Sequence, residues 1–156
     1  MRSIKTMKIR NIKKEDKEQI YLLAKEEDEI LQKFASFPVY EVNFNKKMFE
    51  KLFNSYFEKN HLFIGIEIEK NIIAIISGYI KNAPNGNVGY IDNMFVSNEY
   101  RGQGYSTILR DEFLKWLKKK KIEYCQLDVL AKNHHAVEIY QKWNFKIDGL
   151  QMTKKI

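Results

Sequence analysis

The sequence has only one cysteine, Cys125, and two prolines in 156 residues. One cysteine excludes an intramolecular disulfide, and no cysteines and histidines lie at the spacing of a zinc site. We therefore expect no metal, and we interpret Cys125, in the middle of an apolar strand, as a buried thiol and not a nucleophile. His134 and His135 lack a neighbouring carboxylate cluster, which favours a solvated pair over metal ligands.

Long apolar stretches are also missing. The longest, residues 72–80, is too short to span a bilayer, and residues 1–14 lack the apolar core of a signal peptide. These absences indicate a cytoplasmic protein with no membrane association. The residues before Met7, where the first strand is predicted, are interpreted as a dispensable leader.

Basic residues exceed acidic ones, 27 against 20, which gives a net charge of +7. Such a charge favours anionic partners, either nucleic acid or a polyphosphate cofactor, but it also serves solubility when lysines face water. The 44% hydrophobic and 13% aromatic content excludes a disordered chain. The length predicts a single domain over residues 1–156.

The periodicity of apolar residues predicts an order of strands and helices that indicates an α/β fold. This order favours a mixed, mostly antiparallel sheet with helices on both faces, and a right-handed crossover joining two parallel strands within residues 88–130. The predicted strands cover 7–12, 62–68, 72–80, 88–96, 122–130 and a closing segment at 145–156, and the predicted helices cover 15–34, 45–58, 106–120 and 133–143.

A glycine-bearing turn, Arg101-Gly102-Gln103-Gly104-Tyr105-Ser106, joins a predicted strand to a predicted helix. Such a turn aims free amide groups of the helix start at one point, where the helix dipole adds partial positive charge. Because Gly102 and Gly104 have no Cβ, a phosphate-sized anion can approach the main chain closely. Taken alone, the turn is also compatible with a simple strand ending.

A second segment, residues 133–145, combines polar and aromatic groups on a short predicted helix. Asn133 is a suitable cap for its first turn, and the helical repeat puts Asn133, Ala136 and Tyr140 on one face. That face offers an amide, a small residue and a phenol. Taken alone, the segment is also compatible with a helix that only packs on the sheet.

Together the two segments resemble the GNAT superfamily of acyl-CoA-dependent N-acetyltransferases, and the resemblance extends from Met7 to about Phe145. The superfamily's pyrophosphate loop has Gln or Arg, two residues, Gly, one residue, then Gly or Ala; Arg101, Gly104 and the small residue Ser106 stand at these positions. The later segment matches at Asn133, Ala136, Tyr140, Lys142 and Phe145, with Asn144 in place of a glycine. Asparagine tolerates the left-handed conformation better than most residues, so this departure is mild.

The resemblance implies that acetyl-CoA is the cosubstrate and that no metal takes part. The pantetheine arm is expected to pair with backbone groups of Met94, Phe95 and Val96, and Asn133 is expected to contact it from the other side. Arg101 would anchor the start of the loop. Main-chain amides would hold the pyrophosphate, and the resemblance assigns this role to Gly102, Gln103, Gly104, Tyr105, Ser106 and Thr107.

The resemblance also implies direct attack of an amine on the thioester within a ternary complex. Tyr140 is expected to bind beside the cofactor and to protonate the leaving sulfur, because a phenol with an ordinary pKa of about 10 is protonated at neutral pH. Asp92, on the strand that faces the thioester, is the candidate base. A structural role for Asp92, with a chain of waters as base, is the alternative.

The acceptor is predicted to bind near the first two helices. The acidic run from Glu26 to Glu29 would attract a small cationic amine, and Phe34 and Phe37 would form an apolar wall beside it. The alternatives are a solvated helix edge with aromatic core residues, and a protein N-terminus or lysine as acceptor. A homodimer is expected from the resemblance alone.

Two other classes of function fit parts of the sequence. A basic nucleic-acid-binding module would use the positive charge, and it predicts basic and aromatic residues interleaved on one sheet face. The lysines instead lie mostly at the ends of the predicted elements, so we expect no nucleic acid. A regulator that binds coenzyme A without catalysis is the other alternative, and Tyr140 with the intact glycine loop argues against it.

Overall fold

The computed structural model describes residues 6–35 and 45–156, so Phe37 and residues 1–5 of the interpreted leader lie outside it. Single turns of 3-10 helix lie at Lys14–Asp16 and Asn98–Tyr100. No helix in the described ranges is both long enough and apolar enough to cross a membrane.

The main elements are β1 (Met7–Asn11), α1 (Lys17–Leu31), α2 (Lys46–Ser55), β2 (His61–Ile68), β3 (Asn71–Ala83), β4 (Gly86–Val96), α3 (Tyr105–Lys119), β5 (Cys125–Leu127) and α4 (His134–Lys142).

The strands form one five-stranded sheet in the order β1-β2-β3-β4-β5. The first three pairings are antiparallel, and β4 pairs with β5 in parallel. A parallel pair needs a crossover connection, and α3 provides it. The prediction of a mixed, mostly antiparallel sheet with one parallel strand–helix–strand unit is confirmed.

Helices cover both faces of the sheet, which explains why β3 is apolar on both sides. On one face, α3 buries Leu109, Phe113 and Leu117 against the sheet. On the other face, α1 and α2 contribute the second apolar cluster, with Ile20, Leu23, Phe49 and Phe53 at its centre. The two clusters form the core, and the central strands lie between them.

The predicted closing strand at 145–156 is wrong. Residues 146–156 form no strand, and their apolar side chains, such as Leu150 at 75% exposure, are open to solvent. A strand needs a neighbour for its backbone hydrogen bonds, and no described strand pairs with the outer edge of β5. The strand predicted at 122–130 is also shorter than expected, because β5 covers only Cys125–Leu127.

Candidate active site

The sheet opens between β4 and β5. Their pairing covers only three positions and ends where Ile91 lies opposite Leu127. Beyond that point β4 continues to Val96 with β3 on one side, while its other side has no strand partner in the described part of the chain. The second half of β4 therefore presents a backbone edge with no strand partner in the described residues, which we call the free edge, and we call the space beside it the opening.

A β-bulge marks the place where the two strands separate. Ser77 pairs with Asn93, but the next residue of β3, Gly78, pairs with Ile91, so Asp92 is an extra residue on β4. A bulge bends its strand and redirects the side chains on either side of it. Here it leaves the Asp92 side chain exposed at the start of the opening.

The free edge carries two of the three predicted backbone partners. Arg101 Nε donates to Val96 O at 2.9 Å, so the backbone groups of Val96 point away from β3. In an antiparallel pair, the backbone groups of successive residues point alternately toward and away from the partner strand. The backbone groups of Met94 therefore point away from β3, like those of Val96, and the backbone groups of Phe95 point toward it. Phe95 also buries its side chain in the α1–α2 cluster.

The glycine loop follows directly and leads into α3. Gly102 and Gly104 have φ angles of 72° and 83°, in the left-handed region that favours glycine. A Cβ at either position would meet no atom within 4 Å, so conformation rather than packing selects glycine here. The amides of residues 102–104 form no hydrogen bond within the described ranges. The hydrogen bond from Arg101 to Val96 ties this loop to the end of β4.

The second segment forms α4 much as predicted. The Asn133 side chain accepts a hydrogen bond from the Ala136 amide at 3.3 Å and so caps the helix. Asn144, just after the helix, has a φ of 66°, which is the left-handed conformation expected where it replaces glycine. The cap uses the Asn133 side-chain oxygen, so its amide nitrogen is the group left for a ligand.

Tyr140 is a mostly enclosed phenol. Its ring contacts Trp143 and Phe145 edge to face at centroid distances of 5.7 and 6.1 Å. Burial, with a smaller effect from the negative charge of Glu27, raises the pKa of Tyr140 to about 12. The phenol is therefore fully protonated at neutral pH. The Arg110 guanidinium lies 4.5 Å above the Trp143 ring and links α4 to α3.

Two adjacent glutamates of α1 contact the end of β4. Glu26 accepts hydrogen bonds from Ser97 Oγ at 3.1 Å and from the Asn98 amide at 2.7 Å. Glu27 accepts a hydrogen bond from Asn93 Nδ2 at 2.9 Å. Burial, with smaller effects from nearby charges, raises the pKa of Glu27 to about 7. Glu26 therefore fixes the helix to the sheet, while the pKa of Glu27 lies near neutral pH because its carboxyl group is buried.

Further polar groups surround Glu27 and Asp92. Tyr56 lies at the end of α2, and its hydroxyl lies near Ser77. Burial is the main cause that raises the pKa of Tyr56, and the charge of Asp92 is the next. Ser77 is only 1% exposed. Its Oγ and the Oδ1 of Asn93 are buried and form no hydrogen bond within the described part of the chain. We call this set, which comprises Glu27, Tyr56, Ser77, Asp92 and Asn93, the polar cluster.

Of the predicted acceptor residues in the described part of the chain, Glu26 is next to Glu27, and no contact of Glu29 or Phe34 with the polar cluster is seen. Glu29 is exposed on α1, and Phe34 lies in the turn after that helix. The sequence interpretation missed Glu27 as a distinct group, although a signal was present. The buried residues Ile20 and Leu23 begin an apolar stripe on α1, and Glu27 continues it at helical spacing. A carboxylate in such a stripe indicates a buried acid.

Cys125 and the two histidines do not take part in this site. Cys125 packs against the α3 cluster, and burial raises the pKa of its thiol to about 12, so it is not a thiolate at neutral pH. His134 and His135 are exposed in the first turn of α4. No three His, Cys, Asp or Glu side chains in the described ranges are grouped as a metal ion would require.

Comparison with known proteins gives a consistent result. The sequence model of the acetyltransferase (GNAT) family matches residues 28–145. The chain is 25% identical over 163 residues to an uncharacterized N-acetyltransferase, MJ1207 of Methanocaldococcus jannaschii, and the match covers 98% of this chain and 69% of that protein.

Two solved structures are similar in fold. One is the aminoglycoside acetyltransferase meta-AAC0020 from an uncultured soil metagenomic sample, in complex with sisomicin, with a TM-score of 0.74, 14% identity and 96% of each chain covered. The other is AAC(6')-Iy in complex with the bisubstrate analogue CoA-S-monomethyl-acetylneamine, with a TM-score of 0.74, 13% identity and coverage of 97% of this chain and 98% of that one. At these identities the likeness concerns the fold.

The raised pKa of Glu27 predicts how its replacement changes stability with pH. A carboxyl group whose pKa is higher in the folded than in the unfolded state stabilises the fold below its unfolded value, 4.5, and loses that contribution as the pH rises through about 7. Glu27→Gln should therefore gain stability relative to the unmodified protein between pH 5 and pH 8, by at most about 3 kcal/mol. Urea unfolding at several pH values measures the difference. Glu18→Gln is the control, because the Glu18 side chain is 71% exposed on the same helix, and its effect on stability should not change with pH. If the effect of Glu27→Gln on stability were also independent of pH, the raised pKa of Glu27 would be contradicted.

Proposed function

This chain belongs to the acetyltransferase (GNAT) family and is an acyltransferase, and from that premise we propose that it transfers the acetyl group of acetyl-CoA to the primary amine of a small cationic acceptor. The observation that carries the proposal is the free edge of β4 leading straight into a loop of unbonded amides at the start of α3. An extended arm and a diphosphate need these two features in this order.

The residues present fit acetyl-CoA. The backbone groups of Met94 and the amide of Val96, whose carbonyl already accepts from Arg101, offer the arm a strand edge to pair with. The amides of residues 102–107, with the positive end of the α3 dipole, offer a diphosphate several hydrogen bonds and a favourable charge. The open space at Gly102 and Gly104, which a side chain would fill, is where an anion would approach. On α4, the amide nitrogen of Asn133 and the phenol of Tyr140, which is within electrostatic range of Glu27, would contact the cofactor from the other side.

Acetyl-CoA would supply an activated thioester, which the amine attacks directly while coenzyme A leaves as a thiol. Tyr140 is suited to protonating the sulfur because its pKa near 12 keeps the phenol protonated at neutral pH. The surrounding rings of Trp143 and Phe145 exclude water from one side of the phenol. Asp92 is available as a proton acceptor because the bulge places its side chain at the start of the opening.

The character of the neighbouring surface supports a cationic acceptor. Tyr79 and Tyr90 lie side by side with ring centroids 5.3 Å apart, and the Tyr90 hydroxyl donates to Asp128 at 2.5 Å. The charge of Asp92 contributes to the raised pKa of both tyrosines, so this pair lies beside the bulge. Lys81 Nζ already lies 4.4 Å from the Tyr90 ring centroid, so the ring accepts an ammonium group. Carboxylates next to tyrosine faces favour an amine with more than one positive charge.

The proposed activity is tested by thiol release from acetyl-CoA with a panel of amines: spermidine, sisomicin, glucosamine and a peptide with a free N-terminus and a lysine. We expect the fastest release with one of the first two, which carry several positive charges. Acetylation of the peptide alone would replace the proposed acceptor by a protein. No thiol release above the rate without amine, for any of the four, would refute the proposed acceptor class.

A substitution at Gly104 tests the cofactor site. Gly104→Leu should weaken coenzyme A binding at least about tenfold in a calorimetric titration, because the side chain would occupy the space of the diphosphate. Gly86→Leu is the matched control, since Gly86 also has a positive φ and open surroundings but begins β4, directly after the turn from β3. Both substitutions place leucine at a positive φ, so a general loss of stability would also appear in the control. Equal coenzyme A affinity in the two variants would exclude the loop as the binding site.

A second substitution tests the proton donor. Tyr140→Phe should lower kcat by about 10²-fold or more while coenzyme A affinity changes little, because the ring and its contacts remain. Tyr124→Phe, at a tyrosine that is 71% exposed, is the control and should keep full activity. Steady-state kinetics with acetyl-CoA and the best amine of the panel give the comparison. An unchanged kcat in Tyr140→Phe would assign the proton donor elsewhere.

A further inference from the structure

We propose that Glu27, and not Asp92, accepts the proton that the acceptor's ammonium group must lose before it attacks. This inference rests on the proposed function, since it names the base for that reaction. It would make a residue of the first helix, which contributes nothing to the glycine loop or to α4, a catalytic residue of the site.

The position of Glu27 is fixed relative to the opening in the sheet. Its Oε2 accepts from Asn93 Nδ2 at 2.9 Å, and Asn93 is the first residue of β4 after the bulge. The bonds of the neighbouring Glu26 to Ser97 and Asn98 hold the same turn of α1 against the end of β4. The carboxylate is therefore held at the point where the free edge begins.

Unbonded polar atoms next to Glu27 indicate that a hydrogen-bond donor is missing from the polar cluster. Asn93 uses its amide nitrogen for Glu27, and its Oδ1 is buried without a partner in the described ranges. Ser77, which pairs with Asn93 across the strands, is 1% exposed, and its Oγ forms no hydrogen bond there, although the Tyr56 hydroxyl lies near it. Buried atoms in this state are unfavourable and need a donor. An ammonium group, with three donors, or a water that it displaces would satisfy the acceptors on this side.

The groups facing Glu27 come from every element around it. Burial is the largest effect on the pKa of Glu27, and with the charges of Asp92 on β4 and Asp28 on α1 it raises that pKa to about 7. The Asn93 hydrogen bond and the Arg101 charge act in the opposite direction. Tyr56 from α2 and Tyr140 from α4 both respond to its charge. A base with a pKa near the working pH is ionised in a large fraction of molecules and still holds a proton well. Asp92, in contrast, is exposed to solvent.

The proton balance closes with these groups. Glu27 takes one proton from the ammonium and later releases it to solvent. The C–N bond then forms while the C–S bond breaks, and Tyr140 gives its proton to the sulfur. The second proton lost by the nitrogen on forming the amide restores Tyr140 through solvent. One proton is released in total for each acetyl group transferred.

The test compares kcat/KM against pH from 5.5 to 9 for the unmodified protein, Glu27→Gln, Asp92→Asn and the control Glu18→Gln. The probe is the member of the four-amine panel that the unmodified protein acetylates fastest. We expect an acidic limb with a midpoint near 7 in the unmodified protein and in Glu18→Gln. The limb should persist in Asp92→Asn with a lower midpoint, because the Asp92 charge contributes to the raised pKa of Glu27. Glu27→Gln should lack this limb and be about 10²-fold slower at pH 7, with coenzyme A affinity within about twofold.

The outcomes separate the two proposals. A limb near 7 that survives in Glu27→Gln, or one that disappears only in Asp92→Asn, would overturn the assignment while leaving the acetyltransferase proposal intact. Absence of amine-dependent thiol release in the unmodified protein would count against the proposed acceptor class instead. The pH profile is the decisive measurement, because a merely structural role of Glu27 would lower the rate without removing the limb.

Discussion

The candidate site depends on one constraint, which is that β4 has a partner on both sides for only part of its length. Parallel pairing with β5 ends at Ile91, and the bulge at Asp92 bends the strand at that position. A strand edge in a protein interior must find hydrogen-bond partners. Arg101 at the start of the glycine loop and the Glu26–Glu27 turn of α1 both bond to this part of the chain, and Tyr140 of α4 lies within electrostatic range of Glu27. A strand edge, a glycine loop and an acid are therefore close together.

Glu26 and Glu27 are adjacent in the sequence, but their side chains lie in different surroundings. Glu26 reaches the segment after β4 and is satisfied by two donors, so its charge stabilises the contact between helix and sheet. Glu27 points into the apolar stripe of its helix, meets one donor and is enclosed, so its charged form is disfavoured. The fold accepts a poorly compensated carboxylate at the point where we propose that proton transfer occurs, and active sites often contain such groups.

The sequence predicted the order of elements up to α4, the sheet type, the glycine turn and the cap at Asn133, because each rests on local periodicity or on a few neighbouring residues. It did not predict the irregular segment after Phe145, since whether alternating residues form a strand depends on a partner edge that local pattern does not reveal. Of the polar cluster, only Asp92 was singled out from the sequence. The cluster joins residues from α1, the end of α2, β3 and β4, and Glu27 lies just outside the residues matched by the family model.

Net charge alone is a poor guide to what this protein binds, because the site separates the two signs. The chain is basic, with a net charge of +7, and the loop at the start of α3 offers unbonded amides and a positive dipole to an anion. A short distance along β4, the carboxylates of Glu27, Asp92 and Asp128 stand beside tyrosine rings. An anionic cosubstrate and a cationic acceptor would each meet the opposite charge, and the free edge of β4 lies between the two regions. In the proposed reaction, the arrangement of charge around that edge, and not its sum, would direct the two substrates toward each other.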